Sequence, residues 1–261
     1  MTSRPAVEIA PGVVVMTSSK YATTTTIVRR DRSVLLVDPA WTTSELDGIV
    51  DWLAAHECTV TAGFATHAHH DHMLWHPAFG DAPRWASATS AQKAVEWHDE
   101  LTAMLDDYPP DWPNPLDGIR ALAGDRIPAP FGDGPSADEP IELVVHDGHA
   151  PGHTALLLPE RGVLLAGDML SDIELPLPFN PDDLPAYLDA LDRLAPVVRR
   201  SRVLVPGHGH PTENPLARLD ADRHYLAAVI AGRDPDDARR GLSGMADAHA
   251  KVVAMAAALR D

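Results

Sequence analysis

Cysteine is almost absent from this sequence of 261 residues, in which Cys58 is the only one. A disulfide within the chain and a zinc site built from cysteines are therefore excluded, so any metal ion must be held by nitrogen and oxygen ligands. A lone thiol fits a reducing compartment, and residues 1–11 lack the basic start and long apolar run of a secretory signal. We therefore expect a cytoplasmic protein.

Basic residues and long apolar runs are also scarce. Lys and Arg together number 21 against 38 Asp and Glu, which gives a formal net charge of -17. Because nucleic acids and anionic membranes are bound through clustered basic side chains, we expect neither as a partner. No apolar run reaches the length of a membrane span. A small-molecule partner is the remaining expectation, and the composition gives no indication of the oligomeric state.

Histidine, in contrast, is concentrated in one short stretch. Residues 66–72 contain His67, His69, His70, Asp71 and His72, directly after an apolar run that is typical of a strand. Histidine is the commonest metal ligand, and extended backbone would turn His67 and His69 to the same side. The alternative is a histidine-rich turn that is merely polar. The density of ligand-type residues after a strand favours a metal site.

Apolar periodicity divides the first half of the chain into strands and helices. Strands are predicted over 12–16, 23–29, 33–37, 59–65 and 83–86. The sequence Thr42-Thr43-Ser44-Glu45 is a capping box that predicts the start of a helix. Further helices are predicted within 71–80 and over 90–104.

Proline dominates residues 106–140, and at this density it argues against regular ladders. The aromatic residues Tyr108, Trp112 and Phe131 favour an ordered loop that covers a site, and a plain linker is the alternative.

Histidines and acids recur at predicted strand ends in the second half. Strands are predicted over 141–145, 154–158, 163–166 and 202–205, and helices over 181–198, 221–231 and 235–259. His153 stands just before one strand, and Asp168 and His208 stand just after two others.

The patterns H-x-H-x-D-H, P-G-H-T, G-D and P-G-H-G, in this order, resemble those of the metallo-β-lactamase superfamily over about residues 10–235. The resemblance implies an α+β fold, an αββα sandwich of two mixed β-sheets flanked by helices. It also implies one domain over residues 1–261, with a Pro-rich insert or lid at 106–140 and a helical C-terminal segment at 213–261.

The resemblance further implies two divalent metal ions, with zinc expected and iron or manganese as alternatives. The ligands of the first ion would be His67, His69 and His153. Those of the second would be Asp71, His72 and His208, with Asp168 bridging the two ions. His70 alternates away from His69 and is not expected to be a ligand. His146 and His149 are expected to hold loops together, and His210 could support a ligand by a hydrogen bond.

The reaction implied is hydrolysis by a metal-bound hydroxide at the carbonyl of an ester, lactone or thioester. Asp71 would also be catalytic, orienting the hydroxide or moving its proton, unless it serves as a ligand only. The alternative on the same fold is a mononuclear iron-dependent oxidoreductase of the sulfur dioxygenase type.

The substrate is expected to be a small, mostly uncharged acyl compound. Where many members of the superfamily have a glycine pair after the first motif, this sequence has Met73-Leu74-Trp75. Leu74 and Trp75, together with Trp112, are therefore predicted to form an apolar substrate-binding wall. The sequence has no cluster of basic residues of the kind that would bind glutathione.

Overall fold

The structure is a computed structural model that describes residues 5–124, 126–128, 131 and 139–260. Its strands are β1 (Val7–Ala10), β2 (Val13–Thr17), β3 (Thr24–Arg30), β4 (Ser33–Val37), β5 (Thr59–Phe64), β6 (Arg84–Ala86), β7 (Ile119–Ala121), β8 (Glu142–His146), β9 (His153–Leu158), β10 (Val163–Gly167) and β11 (Val203–Pro206). Its α-helices are α1 (Thr43–Ala55), α2 (Ala88–Glu96), α3 (His98–Ala103), α4 (Leu184–Val198), α5 (Pro215–Ile230) and α6 (Met245–Ala258).

Two mixed sheets form the centre of the molecule. The first has the order β1-β2-β3-β4-β5-β6-β7, antiparallel from β1 to β4 and parallel from β4 to β7. The second has the order β11-β10-β9-β8, with β10 and β11 parallel and the other pairs antiparallel. The parallel pairs bring the carboxyl ends of several strands to common edges, where ligand sites gather in folds of this kind.

The sheets pack face to face through alternating apolar side chains. Leu35 and Phe64 of the first sheet belong to one buried cluster with Leu156 and Leu165 of the second. The outer face of the first sheet is covered by α1, and that of the second by α4, α5 and α6. This layering confirms the predicted αββα sandwich, because each strand buries one side chain set between the sheets and the other under helices.

The capping box at the start of α1 is present as predicted. The side chain of Thr42 accepts a hydrogen bond from the backbone of Glu45, and the Glu45 carboxylate accepts one from the backbone of Thr42. The same carboxylate accepts hydrogen bonds from Ser18 Oγ and Ser19 N, both at 2.7 Å. The start of α1 therefore also fixes the loop between β2 and β3, which reaches the functional site.

The two sheets are joined at one edge by the first residues of β3. The backbone of Thr24 donates to Gly207 O at 2.7 Å, and its hydroxyl donates to Pro206 O at 2.6 Å. Thr23 forms an isolated bridge with His208. These contacts hold the end of β11 against the first sheet.

Two helix predictions are corrected by the structure. Residues 71–80 form no α-helix but two single 3₁₀ turns, at His70–His72 and Pro77–Phe79. Pro77 cannot donate a helical hydrogen bond and would clash with the carbonyl four residues earlier. The helix predicted over 90–104 is interrupted at Trp97, which separates α2 from α3.

The Pro-rich segment differs from its prediction in its middle part. Strand β7 pairs in parallel with β6, and it lies in the stretch between Pro115 and Pro128, which contains no proline. Leu122, Ile127 and Phe131 are buried between the sheets, and Phe131 is 0% exposed. This part of the segment therefore completes the core instead of covering a site. Residues 125, 129–130 and 132–138 of the predicted lid lie outside the described residues.

The C-terminal segment contains two α-helices whose starts differ from the prediction: α5 begins at Pro215, before residue 221, and α6 begins at Met245, ten residues after residue 235. Helix α5 and helix α6 pack on α4, and a 3₁₀ turn at Ala238–Gly241 lies between them. None of the helices in the described ranges combines the length and apolar character needed to cross a membrane.

Candidate metal centre

The ligand-type residues meet at one edge of the sandwich. His67 to His72 follow β5, Asp168 follows β10, and His208 follows β11. The loop after β5 is fixed from both sheets, because Thr66 N donates to Asp38 Oδ1 at 2.8 Å and Thr66 O accepts from Thr154 N at 2.8 Å. The motif is thus held between the ends of β4 and β9.

A first group consists of His67, His69, His149 and Asp168, whose ligand atoms all lie within 4.8 Å of one another. His69 Nδ1 is 2.9 Å from His67 Nε2 and 3.2 Å from His149 Nε2. Asp168 Oδ2 is 3.5 Å from His67 Nε2 and 3.4 Å from His149 Nε2. Ligand atoms around a tetrahedral zinc ion with bonds of about 2.0 Å lie about 3.3 Å apart, so this spacing fits such an ion.

A second group consists of Asp71, His72 and His208. Asp71 Oδ2 is 3.1 Å from His208 Nε2 and 3.4 Å from His72 Nε2, and the two histidine Nε2 atoms are 3.4 Å apart. Asp168 extends to this group as well, with Oδ1 3.2 Å from His72 Nε2 and Oδ2 3.4 Å from His208 Nε2. The Asp168 carboxylate therefore lies between the two groups.

The ionised carboxylate between the two groups and a neutral histidine in the first group suit divalent cations. Burial by itself would raise the pKa of Asp168, but the neighbouring His72, His208 and His67 hold it well below its usual value. Burial lowers the pKa of His149 to about 4, so its ring is neutral and free to bind a metal. Within the described residues, Asp168 Oδ1 is a buried oxygen that lacks a hydrogen bond of good geometry. Such an oxygen, surrounded by imidazole nitrogens, fits a metal ligand.

A cavity of about 560 Å³ opens beside the two groups. His69, His70 and Asp71 form its floor. Its other lining residues come from α2, α3 and two loops, namely Lys93, Trp97, Glu100, Leu101, Met104, Pro151, Asn180 and Pro181. The lining therefore combines apolar surface from Trp97, Leu101 and Met104 with several polar groups, and such a combination suits a small-molecule site.

Comparison with family models finds a match to the metallo-β-lactamase superfamily over residues 20–208. The chain belongs to this superfamily. The match includes the ligand residues of both groups, from His67 to His208. Comparison with curated protein sequences finds no significant match.

Several solved structures of the superfamily resemble this chain. A metallo-β-lactamase family protein from Thermus thermophilus is 23% identical, with a TM-score of 0.63 over 97% of this chain and 94% of that one. A metallo-β-lactamase from Pontibacter korlensis is 20% identical, with a TM-score of 0.63 over 83% and 95%. A β-lactamase domain protein from Burkholderia ambifaria is 20% identical, with a TM-score of 0.60 over 87% and 74%. At these identities the likeness establishes the fold.

The structure groups one residue that was not predicted as a ligand and leaves one predicted ligand outside the groups. His149, predicted to hold a loop, takes part in the first group, whereas the predicted ligand His153 lies behind it. His153 Nε2 accepts the backbone N–H of Asp168 at 3.0 Å, and its ring stacks on those of His67 and His146. Because that nitrogen is engaged with the backbone, His153 supports the group from behind in this arrangement.

Asp38 supports the second group and was missed by the sequence analysis. Its Oδ2 lies 3.0 Å from His72 Nδ1 and accepts a hydrogen bond from Thr66 Oγ1 at 2.6 Å. A carboxylate at Nδ1 keeps the proton there and leaves Nε2 free for a metal. The available signal was an aspartate directly after the apolar strand β4, at the edge where β5 also ends.

His208 is fixed from three sides, and His210 is directed away from the groups. His208 Nδ1 lies 3.0 Å from Tyr21 O and 3.3 Å from Thr23 Oγ1, while its carbonyl accepts a hydrogen bond from Ser171 Oγ at 2.7 Å. The side chain of His210 is 64% exposed and contacts Asp172. The structure therefore places the His210 side chain beside Asp172 and away from the predicted position next to a metal ligand.

The predicted substrate wall is also placed elsewhere. Leu74 is 2% exposed in the cluster under α1, Trp75 packs on Phe79, and the ring of Trp112 lies 4.3 Å from that of His76. The described lining of the cavity includes none of Leu74, Trp75 and Trp112. These side chains fill the outer face of the first sheet, where the apolar surface beside α1 has to be covered. The cavity wall is instead built from α2 and α3.

Proposed function

We propose that this protein is a hydrolase that uses two divalent metal ions, with zinc as the expected metal, on the carbonyl of an ester, lactone or thioester. The observation that supports it most is the position of the Asp168 carboxylate between two buried groups of imidazoles and carboxylates. A second complete group favours a dinuclear hydrolase over a mononuclear iron oxidoreductase. The metal ions, when bound, would acidify water and polarise the substrate carbonyl.

Asp71 is the residue proposed to orient the attacking water. It lines the cavity as well as the second group, so its carboxylate reaches both. Burial would raise its pKa, but His72 and His208 hold the pKa well below its usual value. The carboxylate is therefore ionised at neutral pH and accepts hydrogen bonds, as a group that orients water must.

Asn180 is proposed to contact the substrate carbonyl. Its Nδ2 atom is 3.4 Å from His69 Nε2, and the residue lines the cavity at the edge of the first group. An amide N–H in this position would donate to the oxygen on which negative charge develops.

The cavity walls support a small acyl compound with an apolar portion as the substrate. Trp97, Leu101 and Met104 offer apolar surface. Lys93, the lysine among the described lining residues, has its ammonium 2.6 Å from Glu96 Oε2, so its charge is already paired. With a formal net charge of -17, the protein also repels large anions. We accordingly propose no nucleic acid or membrane partner.

The test combines metal analysis with a substrate panel. Protein loaded separately with zinc, manganese or ferrous iron is analysed for metal content and assayed on an apolar lactone, an aryl ester, an S-acyl glutathione and a β-lactam. We expect two ions per chain and the highest kcat/KM on the lactone or ester. Asp71→Asn should abolish turnover, whereas Asp47→Asn, which alters an exposed carboxylate beside His76, should not. One ion per chain, with oxygen uptake on a persulfide in the iron form only, would contradict the proposal.

A further inference from the structure

Arg239 is a buried arginine in the C-terminal segment, beyond the residues matched by the superfamily model. It is 7% exposed and belongs to the 3₁₀ turn between α5 and α6. A buried guanidinium is costly unless each of its donors is paired. Its partners therefore indicate why it is there.

The guanidinium of Arg239 joins two parts of the chain. On the C-terminal side, Nη1 donates to Asp222 Oδ1 at 2.7 Å, and Nε and Nη2 donate to the carboxylate of Asp237 at 3.1 and 2.8 Å. On the other side, Nη1 also donates to the backbone carbonyls of Ser171 at 2.9 Å and Glu174 at 2.8 Å. These two residues belong to the loop that follows the metal-group residue Asp168.

The loop at residues 171–174 in turn holds the His208 loop. Ser171 Oγ donates to His208 O at 2.7 Å, and Asp172 Oδ1 accepts the backbone N–H of His210 at 2.9 Å. A Cβ atom added to Gly209 would lie 2.2 Å from Asp172 Oδ1, so the two loops are closely fitted. Residues 171–174 therefore hold the backbone of His208, while Tyr21 and Thr23 hold its ring.

The first group shares Asp168 with the second, but its histidines have their direct anchors outside residues 171–174. The loop of His67 and His69 is fixed through Thr66, which bonds to Asp38 and Thr154. The ring of His149 is fixed by a contact of 3.1 Å between its Nδ1 atom and Leu177 O. The hydrogen bonds of Arg239 connect to His208 through Ser171.

We propose that Arg239 is a positioning residue through which the C-terminal segment sets His208 and thereby the second metal group. The inference depends on the two metal groups of the proposed function and is independent of the substrate. A planar guanidinium can bond two carbonyls and two carboxylates at once, whereas a lysine ammonium has only three donors at one point. Arg239→Lys should therefore keep the charge of the residue and lose much of its hold on the loop.

The experiment measures the affinity of each metal site by titrating metal-free protein with Co²⁺ and Zn²⁺ against a competing chelator. We expect Arg239→Lys to weaken the second site by about 10- to 100-fold, the usual effect of removing a residue that supports a ligand, and to weaken the first site, which shares only Asp168 with it, by a smaller factor. The Co²⁺ absorption of the second site should change as well. Arg240→Met is the matched control, because Arg240 lies in the same turn and pairs with the exposed Asp234. It should leave both affinities unchanged.

Ser171→Ala provides a second test that leaves the buried charges intact. It removes the hydroxyl that donates to His208 O and keeps the carbonyl that Arg239 bonds, so it should weaken the second site in the same direction. Titrations are made well below the melting temperature of each variant. If the wild-type protein holds fewer than two ions, the proposed function fails. If it holds two, and both Arg239→Lys and Ser171→Ala retain the second ion at wild-type affinity or weaken both sites equally, the positioning role is refuted.

Discussion

The two histidine-rich loops of this protein differ in how many of their rings reach the metal groups. From residues 66–72, His67, His69, Asp71 and His72 all take part, whereas from residues 146–153 His149 takes part. The first loop turns through a 3₁₀ turn after it leaves β5, so successive side chains face one centre. In the second loop, His146 and His153 are direct partners in the ladder of β8 and β9, and their rings stack at 4.6 Å. Cross-strand neighbours contact each other because their side chains project from the same face.

This difference shows that the density of ligand-type residues is informative only together with the local backbone. In a ladder, two histidines placed opposite each other pack together as a pair. In a turn, histidines at short spacing can converge on an ion.

Replacing the two candidate ligands of the second loop should separate their roles. His149→Ala removes a member of the first group and should weaken the first metal site by more than the roughly 100-fold limit for a supporting residue. His153→Ala removes a ring that accepts the N–H of Asp168, so we expect a smaller loss of metal affinity and a lower melting temperature. Metal titration and thermal unfolding of both variants measure this. A larger loss of metal affinity in His153→Ala than in His149→Ala would support His153 as the ligand.

Replacing Asp38, which supports His72, should weaken metal binding at the second group by about 10- to 100-fold. In Asp38→Asn, one acceptor oxygen remains, so the side chain can no longer accept from Thr66 N at one position and from Thr66 Oγ1 and His72 Nδ1 at the other, and the charge facing His72 is lost. Asn tolerates the left-handed backbone of this position, where φ is 48°. Asp47→Asn, at the exposed pair with His76, is the control. Equal metal affinities in the two variants would show that Asp38 does not set the orientation of His72.

The cavity and the outer face of the first sheet can be compared through one tryptophan in each. Trp97→Ala removes apolar surface from the cavity and should raise KM for an apolar ester by about tenfold, which corresponds to about 1.4 kcal/mol of lost contact. Trp112 packs against His76 and Tyr108 and does not line the cavity. Trp112→Ala should therefore leave KM unchanged and lower the free energy of unfolding. Steady-state kinetics and denaturant unfolding distinguish the two. A larger KM effect for Trp112→Ala would return the substrate wall to that side.

Local signals in the sequence were sufficient for most of the fold. The capping box at Thr42 and the β-branched run at residues 33–37 depend on neighbouring residues only, and both elements begin where they were predicted. The interruption at Trp97 and strand β7 depend on tertiary packing, because β7 pairs with β6, more than thirty residues earlier, at Arg84–Ala86. Periodicity within the segment could not indicate such a partner.

The candidate site likewise has features that depend on neighbouring residues and features that depend on tertiary packing. Ligand types and their order along the chain were legible, and His67, His69, Asp71, His72, Asp168 and His208 are brought together by the fold. The choice between His149 and His153 depends on the register of β8 and β9, and the cavity wall depends on where α2 and α3 pack. Leu74 and Trp75 were assigned to the cavity because they follow the motif, but the burial of the outer sheet face decides their direction.

The bonds from Thr24 to residues 206 and 207 have a consequence for the order in which the protein matures. They close the joint between the sheets, and each metal group draws its members from both sides of that joint. During synthesis, the first group is incomplete until Asp168 has left the ribosome, and the second until His208 has. A metal ion would therefore find a complete ligand set only after the two halves have associated. Once bound, it would stabilise their association to a degree that depends on its free concentration.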